Sequence, residues 1–412
     1  MSPAELEHWI QTLWALLGLL LVLLAHIGVS LRGVTSSPPP GHQPFTASRA
    51  VLRMLLGLGL SVLAFWLVGY GLARGANPGG WFGSNGFWPL NPDPATSLEL
   101  LNEALRASLC VAIVTSVLGM RVGGIRYVLC CLTVSGLVFA LPSGWTVVDT
   151  RAAIDASGAG GGWLAGLGFV DAGRTTTVHA LAALLGLAAL TVLGGTPTTA
   201  SVDPSARALG EHTPSTSLHF TIGTLLAWVG LIGLIPALMP GPGAGNDVGT
   251  GPGTALVNLC LGSLAATLTP ALLGASRPDS DDPRPLCNAW LCGAITVSAC
   301  ATLATPLQAT LIGALAGGSM LLAGRFLNDL ELDDPGGIVP VHAVGGVLGT
   351  LSVGLPGIRA DMGLTDFSAQ LVGIVACGVY GLCAGGLLFK LLAMGRGKSA
   401  DHQPTADTGW QT

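Results

Sequence analysis

The stretches DAGRTTTVHALAALLG at 171–186 and DPGGIVPVHAVGGVLG at 334–349 decide how this chain is read. Each opens on an aspartate, carries Val-His-Ala with the histidine eighth after that aspartate, and closes on Leu-Gly, every matched pair lying 163 residues apart. Ala, Val, Gly and Leu are abundant here, so the match rests on the rarer Asp and His in a common register. Both stretches open long apolar runs. Asp171 and Asp334 are therefore expected at helix starts, where a carboxylate caps free N–H groups and complements the helix dipole. Eight residues of helix then carry His179 and His342 about 12 Å inward. That is close to the middle of a hydrocarbon layer about 30 Å thick.

Composition supplies the membrane. Of the 412 residues 50% are hydrophobic and 9% charged, against about 25% charged in an ordinary soluble domain, and the mean hydropathy is +0.66. No soluble core hides that much apolar surface, so the bilayer must solvate most of it. A net charge of −5 spread along loops gives a nucleic-acid partner no support. The 61 glycines suit helices that approach closely in lipid. The nine cysteines sit almost wholly in apolar runs without CxxC or Cys/His spacing; they read as small packing residues rather than disulfides or zinc ligands.

Apolar runs separated by Pro, Gly or charge predict eleven helices, near 9–31, 50–73, 97–120, 125–142, 173–194, 217–239, 253–274, 288–305, 307–328, 337–356 and 367–394. The first is too long for a signal-peptide core and lacks a small-x-small cleavage site, so it is expected as a retained span. The fourth is short, and Pro306 is the only break between the eighth and ninth. Segments 75–96 and 240–252 read as connectors by their Gly, Pro and Asn content, and the tail 395–412 as disordered. With the N-terminus outside, interior segments hold twelve Lys and Arg against four outside, Arg106 falling within a span. The positive-inside rule therefore puts the N-terminus outside and the C-terminus in the cytoplasm of a plasma-membrane protein.

The repeated stretch falls on the fifth and tenth spans, so the repeat unit is five helices. An odd number of crossings sends the second copy through from the opposite side, the inverted-repeat plan of many channels and transporters. The whole chain, 1–412, reads as one membrane domain: repeat one about 9–194, repeat two about 217–356, and an eleventh helix at 367–394. A single buried histidine can be a packing residue, but two related ones at mid-membrane point to a pathway, since ionisable groups are costly there. No carboxylate or Cys lies one helical turn from either ring, so no metal pair is expected. There is no P-loop, dinucleotide fingerprint or catalytic metal spacing, so neither an enzyme nor a cofactor is expected.

At these residues the chain resembles the ammonium transporter (Amt/Mep/Rh) family, as a divergent bacterial-type member. The resemblance is carried by GGWLAGLGFVDAGRTTTVHALAALLG at 161–186 and LELDDPGGIVPVHAVGGVLG at 330–349, with weaker support from FWLVGYGLARG at 65–75, GIRY at 124–127 and ALVN at 255–258. It implies a homotrimer with a narrow, hydrophobic pore through each subunit, conducting ammonium, or ammonia with a separately relayed proton. By position His179 and His342 would be the pore pair, Asp171 the vestibule aspartate and Asp334 its repeat-related helix cap. The family's two gating phenylalanines fall on Leu109 and Leu234, and its cation-binding serine on Leu238. Trp145 and Trp163 are the two candidates for its entrance tryptophan. Arg106 reads as an i,i+3 partner of Glu103; facing the vestibule instead, it would repel ammonium. The tail lacks the charged pattern with which bacterial members engage the PII regulator. The expectation is thus an ammonium/ammonia channel-like transporter with a leucine-lined entrance. A non-conducting ammonium receptor and a pore for another small neutral solute are the alternatives.

Overall fold

A computed structural model of the protein describes residues 2–35, 46–119, 121–147, 161–194, 214–235, 251–273, 282–334, 336–358 and 364–394. Leu238, segment 240–250 and the tail lie outside the described residues. A helix stands at each of the eleven predicted positions. These are α1 (Pro3–Val34), α2 (Ala47–Ala64, continuing to Arg74), α3 (Pro94–Leu118), α4 (Ile125–Thr133, continuing to Trp145), α5 (Thr175–Ala180 and Leu181–Leu193), α6 (Pro214–Leu231), α7 (Gly251–Leu272), α8 (Arg284–Ser298), α9 (Pro306–Asp329), α10 (Ile338–Val353) and α11 (Leu364–Met394). Among the described residues nine are long and apolar enough to cross a membrane; α8 and α10, at 15 and 16 residues, are shorter. The chain is an all-helical, multi-pass membrane protein.

Local chemistry explains the boundaries. Asp93 starts α3 by accepting from the N–H groups of Ala95 and Thr96, with Pro94 in the first helical position. Thr305 and Gln308 form a reciprocal capping box in which Pro306 opens α9, so the lone break between the eighth and ninth spans is a helix start. The fourth span is longer than its sequence suggests, because helix continues past Pro142 to Trp145. Proline cannot donate to the carbonyl four residues back. A π-turn, Val134–Phe139, lies just ahead of it in the same span.

The eighth span is displaced toward the N-terminus: α8 ends at Ser298 instead of 305, and Ala299–Ala304 form turns. At about 22 Å, α8 alone falls short of the bilayer core. Irregular backbone at that depth must find partners within the protein, and the buried Asn258 of α7 supplies one, donating to the carbonyls of Ala301 (2.8 Å) and Ala304 (2.7 Å).

Helices α3 and α5 are central, with 67% and 72% of their apolar windows buried, whereas α2 and α11 are peripheral at 22% and 28%. The first span is built into the bundle: Gly230 of α6 faces the backbone of Ala25, and Gly233, in the turn just past α6, faces the carbonyl of Gly18, both on α1. Near the other end of α1 the buried Arg32 donates to Thr224 Oγ1 (2.5 Å) and to Asn288 and lies over the Phe220 ring, tying α1 to α6 and α8.

Candidate functional site

Helices α5 and α10 meet through the repeated stretch, and glycine lets them. A Cβ on Gly346 would stand 2.6 Å from Ala180 N and from Thr175 O, both backbone atoms, so α10 passes at a distance no side chain allows. Thr350, one turn further, bonds Thr175 Oγ1 at 2.9 Å and Thr176 Oγ1 at 2.5 Å.

His179 and His342 face each other across this contact. Their rings stack at 5.1 Å between centroids and 13° between planes, with the two Nδ1 atoms 3.0 Å apart. Each residue is 1% exposed, and the Nε2 of each is buried without a hydrogen-bond partner. A hydrogen bond between two Nδ1 atoms needs one proton and one lone pair. In two neutral rings the partner that donates at Nδ1 has a bare Nε2, and the partner that accepts carries its proton there. One end of the pair is thus an acceptor and the other a donor. Moving the shared proton across, with compensating transfers at the two ends, exchanges the roles.

The aspartates accept from N–H groups of the first helical turns but stand further from the helices than their spacing suggests. Regular φ/ψ begins only at Thr175 and Ile338, so each histidine is the fifth residue of its helix and not the eighth. Before each start the chain turns through a left-handed residue, Arg174 at φ 53°, ψ 33° and Gly337 at φ 61°, ψ 30°. These two also stand 163 residues apart. Asp171 accepts from the N–H groups of Thr176 (2.8 Å) and Thr177 (3.2 Å) and from the Thr177 hydroxyl. Asp334 accepts from Ile338 (3.2 Å) and Val339 (2.7 Å), one register earlier, because the counterpart of Thr177 is Pro340, which has no N–H. Asp334 lies outside the spans, and burial pushes its carboxyl up to about 6, partly offset by the two amide bonds. The buried Gln370 of α11 clamps Val170, its amide pairing with that residue's N and O at 3.1 Å each.

Leu109 on α3 and Leu234 in the turn just past α6 are both buried. Arg106 pairs with Glu103 at 2.5 Å, as its i,i+3 spacing predicts. That pair belongs to a larger group: Arg74 and Arg174 each stand 2.8 Å from the same Glu103 oxygen, and the Ser143 hydroxyl donates to the other at 2.8 Å. Glu103 is 1% exposed. A non-glycine residue in the left-handed region costs about 1 kcal/mol or more, and at Arg174 this ion pair holds the strained residue in place.

Trp145 and Trp163, the two tryptophan candidates, lie together, 5.9 Å between rings, with Trp81 stacked on Trp163 at 4.8 Å and Tyr380 against Trp145 at 5.1 Å. The Trp145 indole donates to Trp81 O at 2.8 Å. Segment 75–96 is therefore more than a connector. Trp81 escapes a reading of that segment by turn residues, though its aromatic content (WFGSNGFW at 81–88) is a usable signal. The Arg74 and Arg174 pairings with Glu103 also escape sequence reasoning, since they join positions 29 and 71 residues apart.

Known proteins share both sequence and architecture with this chain. Residues 13–400 match the pattern of the Ammonium Transporter Family. A putative ammonium transporter of Synechocystis sp. is 28% identical over 397 residues, covering 93% of this chain and 69% of that protein. Ammonium transporter Amt1 of Methanocaldococcus jannaschii is 23% identical over 344 residues, covering 82% of this chain and 79% of that one. Among solved structures, a sensor Amt protein superposes with a TM-score of 0.80 at 23% identity, covering 95% of both chains. Candida albicans Mep2 gives 0.74 at 17% identity, covering 93% of this chain and 84% of that one. At those identities the structural likeness establishes the fold.

Proposed function

We propose, from the premise that this chain belongs to the ammonium transporter family, that it conducts ammonium or ammonia through a hydrophobic pathway centred on His179 and His342. The observation that carries this reading is the imidazole pair, bonded Nδ1 to Nδ1 at 3.0 Å with both Nε2 atoms buried and unpartnered. Ammonia is both donor and acceptor, so it can bond at either end of the pair. An ammonium ion that leaves its proton on the bare Nε2 crosses the apolar stretch as ammonia while the proton is relayed through the rings. A potassium ion of the same charge has no proton to leave and must stay hydrated.

Asp171 sets the start of α5 and so the position of His179, and Asp334 does the same for His342. The shared offset of aspartate, left-handed turn residue and histidine supports two inverted five-helix units, with α11 packed against α5. Leu109 and Leu234 stand at the gate positions of the outer mouth, and the tryptophans around Trp81 offer π-faces to a cation arriving there. The charge bias of the loops supports an N-terminus outside and a C-terminus in the cytoplasm, and the family resemblance supports a homotrimer. Leucines at both gate positions favour a second reading, an ammonium receptor that binds without conducting.

The test is a solid-supported-membrane recording on reconstituted protein after an ammonium pulse, with His179→Ala and His342→Ala alongside. Current in the parent that is lost in both variants is the expected result. Histidine-independent current would refute the proposed centre, and no current or flux beside measurable ammonium binding would establish the receptor.

A further inference from the structure

Both histidine helices are held at their starts by one helix, α3. In its first half Glu103 accepts at 2.8 Å from Arg174, the left-handed residue before α5. Just past its last turn Arg121 reaches the segment that leads into α10. The Arg121 backbone N–H donates to Leu118 O at 3.0 Å and its Nη1 to Val117 O at 3.3 Å, which fastens the residue to the end of α3. Its Nη2 donates to Asp333 twice, to the carbonyl oxygen at 3.0 Å and to Oδ2 at 2.7 Å. The Arg121 side chain is 6% exposed and that of Asp333 27%, so the pair is sheltered from the water and salt that weaken surface ion pairs. Asp333 adjoins Asp334, whose carboxylate takes the N–H groups of Ile338 and Val339 and whose carbonyl accepts from Gly337 N at 2.9 Å. The other side of that turn rests on α8: a Cβ on Gly337 would stand 2.3 Å from Asn288 Nδ2, and Asn288 Oδ1 accepts from Arg32. From Glu103 to Val117 α3 spans about 21 Å, a strut between the two starts.

Resting on the reading of His179 and His342 as the proton-relaying centre, we propose that Arg121 is a positioning residue for His342. By gripping Asp333 it sets where α10 begins, and with Glu103 further along α3 it fixes how the two rings meet. His342 is the fifth residue of α10, about 6 Å along the axis from Ile338, so a displacement of the helix start passes to the ring almost undiminished. The Nδ1–Nδ1 bond, 3.0 Å long, fails once stretched past about 3.5 Å. A shift of about 0.5 Å at the start of α10 is therefore enough to break it. Arg121 acts through Asp333 and the backbone of the turn, so its loss should spare the apolar lumen and strike the proton relay.

The test separates charge flux from amine flux in proteoliposomes. Solid-supported-membrane current reports the first, and stopped-flow alkalinisation of a luminal pH dye, above protein-free vesicles, reports the second. The proteins are the parent, Arg121→Gln, Asp333→Ala, the double variant and Arg121→Lys. A merely structural contact would lower both fluxes together, in step with the amount of folded protein. Loss of positioning should lower the ratio of current to amine flux by about threefold or more in Arg121→Gln. The fall should be smaller in Asp333→Ala, which leaves the bond to the carbonyl, and in Arg121→Lys, which keeps the charge. The double variant should fall no further than Arg121→Gln, because both changes act on one contact. An unchanged ratio in folded Arg121→Gln, or losses that multiply in the double variant, overturns the inference and leaves the pathway standing. Parent current that survives His179→Ala refutes the pathway itself. Should the parent carry no current, or Arg121→Gln fail to insert, nitrogen-15 solid-state NMR on histidine-labelled parent and Asp333→Ala decides without transport. A correlation between two imidazole Nδ1 atoms in the parent, weakened or lost in Asp333→Ala, is the expected result, and an equal signal in both overturns the inference.

Discussion

Gly346→Ala tests whether the helix contact, and not merely the presence of two histidines, makes the pair work. The new Cβ would stand 2.6 Å from Ala180 N and Thr175 O. Ordinary contact begins at 3.4 Å, so the backbones must part by about 0.8 Å (3.4 less 2.6). Both opposing atoms are backbone, so no side chain can swing aside. Carried to the rings, that displacement stretches the 3.0 Å Nδ1–Nδ1 bond to about 3.8 Å, past hydrogen-bond range. Overpacking of this kind costs about 1–3 kcal/mol, well short of unfolding an eleven-helix bundle, so the variant should purify normally. Without the bridge a proton cannot pass between the rings, and ammonium-evoked current should fall tenfold or more. Gly386→Ala is the control, since a Cβ there meets nothing within 4 Å, and it should match the parent. Parent-level current in a well-folded Gly346→Ala protein would refute the claim that the two rings act as one proton-sharing unit.

Three further outcomes follow from other parts of the site. Asp171→Ala removes the acceptor of two amides and one hydroxyl and should cost about 2–3 kcal/mol together with most of the transport, seen as a lower Tm in detergent and a reduced current; unaltered transport would show that the cap does not position His179. Leu109→Phe combined with Leu234→Phe should raise selectivity for ammonium over potassium in competition recordings, and no change would refute the assignment of these positions to the gate. Asp334 has a folded carboxyl pKa raised to about 6 over an ordinary value of about 3.9. The folded state therefore holds its proton more tightly, and stability should rise by up to about 2–3 kcal/mol as pH falls from 7 toward 4. Asp334→Asn should flatten that dependence in Tm measurements from pH 4.5 to 7, and a slope that survives the substitution would assign it to another group.

What the sequence made legible, and what it hid, divides along a physical line. Helix existence follows from runs of apolar residues, because lipid demands internally bonded backbone whatever the partners are, and a helix stands at all eleven positions. Boundaries shifted where the backbone departs from regular α geometry: in the fourth span, where helix runs through a π-turn and past Pro142, and at Ser298, beyond which Asn258 of α7 bonds the carbonyls of the turns that follow α8. The histidine pair was legible because repetition marks it twice, and the 163-residue offset survives even in the left-handed turns at Arg174 and Gly337. The arginines gathered on Glu103 were not, since Arg74 ends α2 and Arg174 lies in the turn before α5, and only the i,i+3 member on the same helix, Arg106, leaves a trace in the spacing.

The comparison of Arg174 with Gly337 carries this further. Both positions require a left-handed backbone, and glycine meets that requirement in the second copy without strain. In the first copy arginine occupies it at a conformational cost. The same residue there is bonded to the most buried carboxylate of the network. The two copies of the stretch therefore share their aspartate contacts and their histidine but differ in charge at the turn: the first turn is tied into an arginine cluster, and the second is made by a glycine packed beside Asn288. The pair is thus symmetric in its histidines and asymmetric in charge at the two turns that precede them.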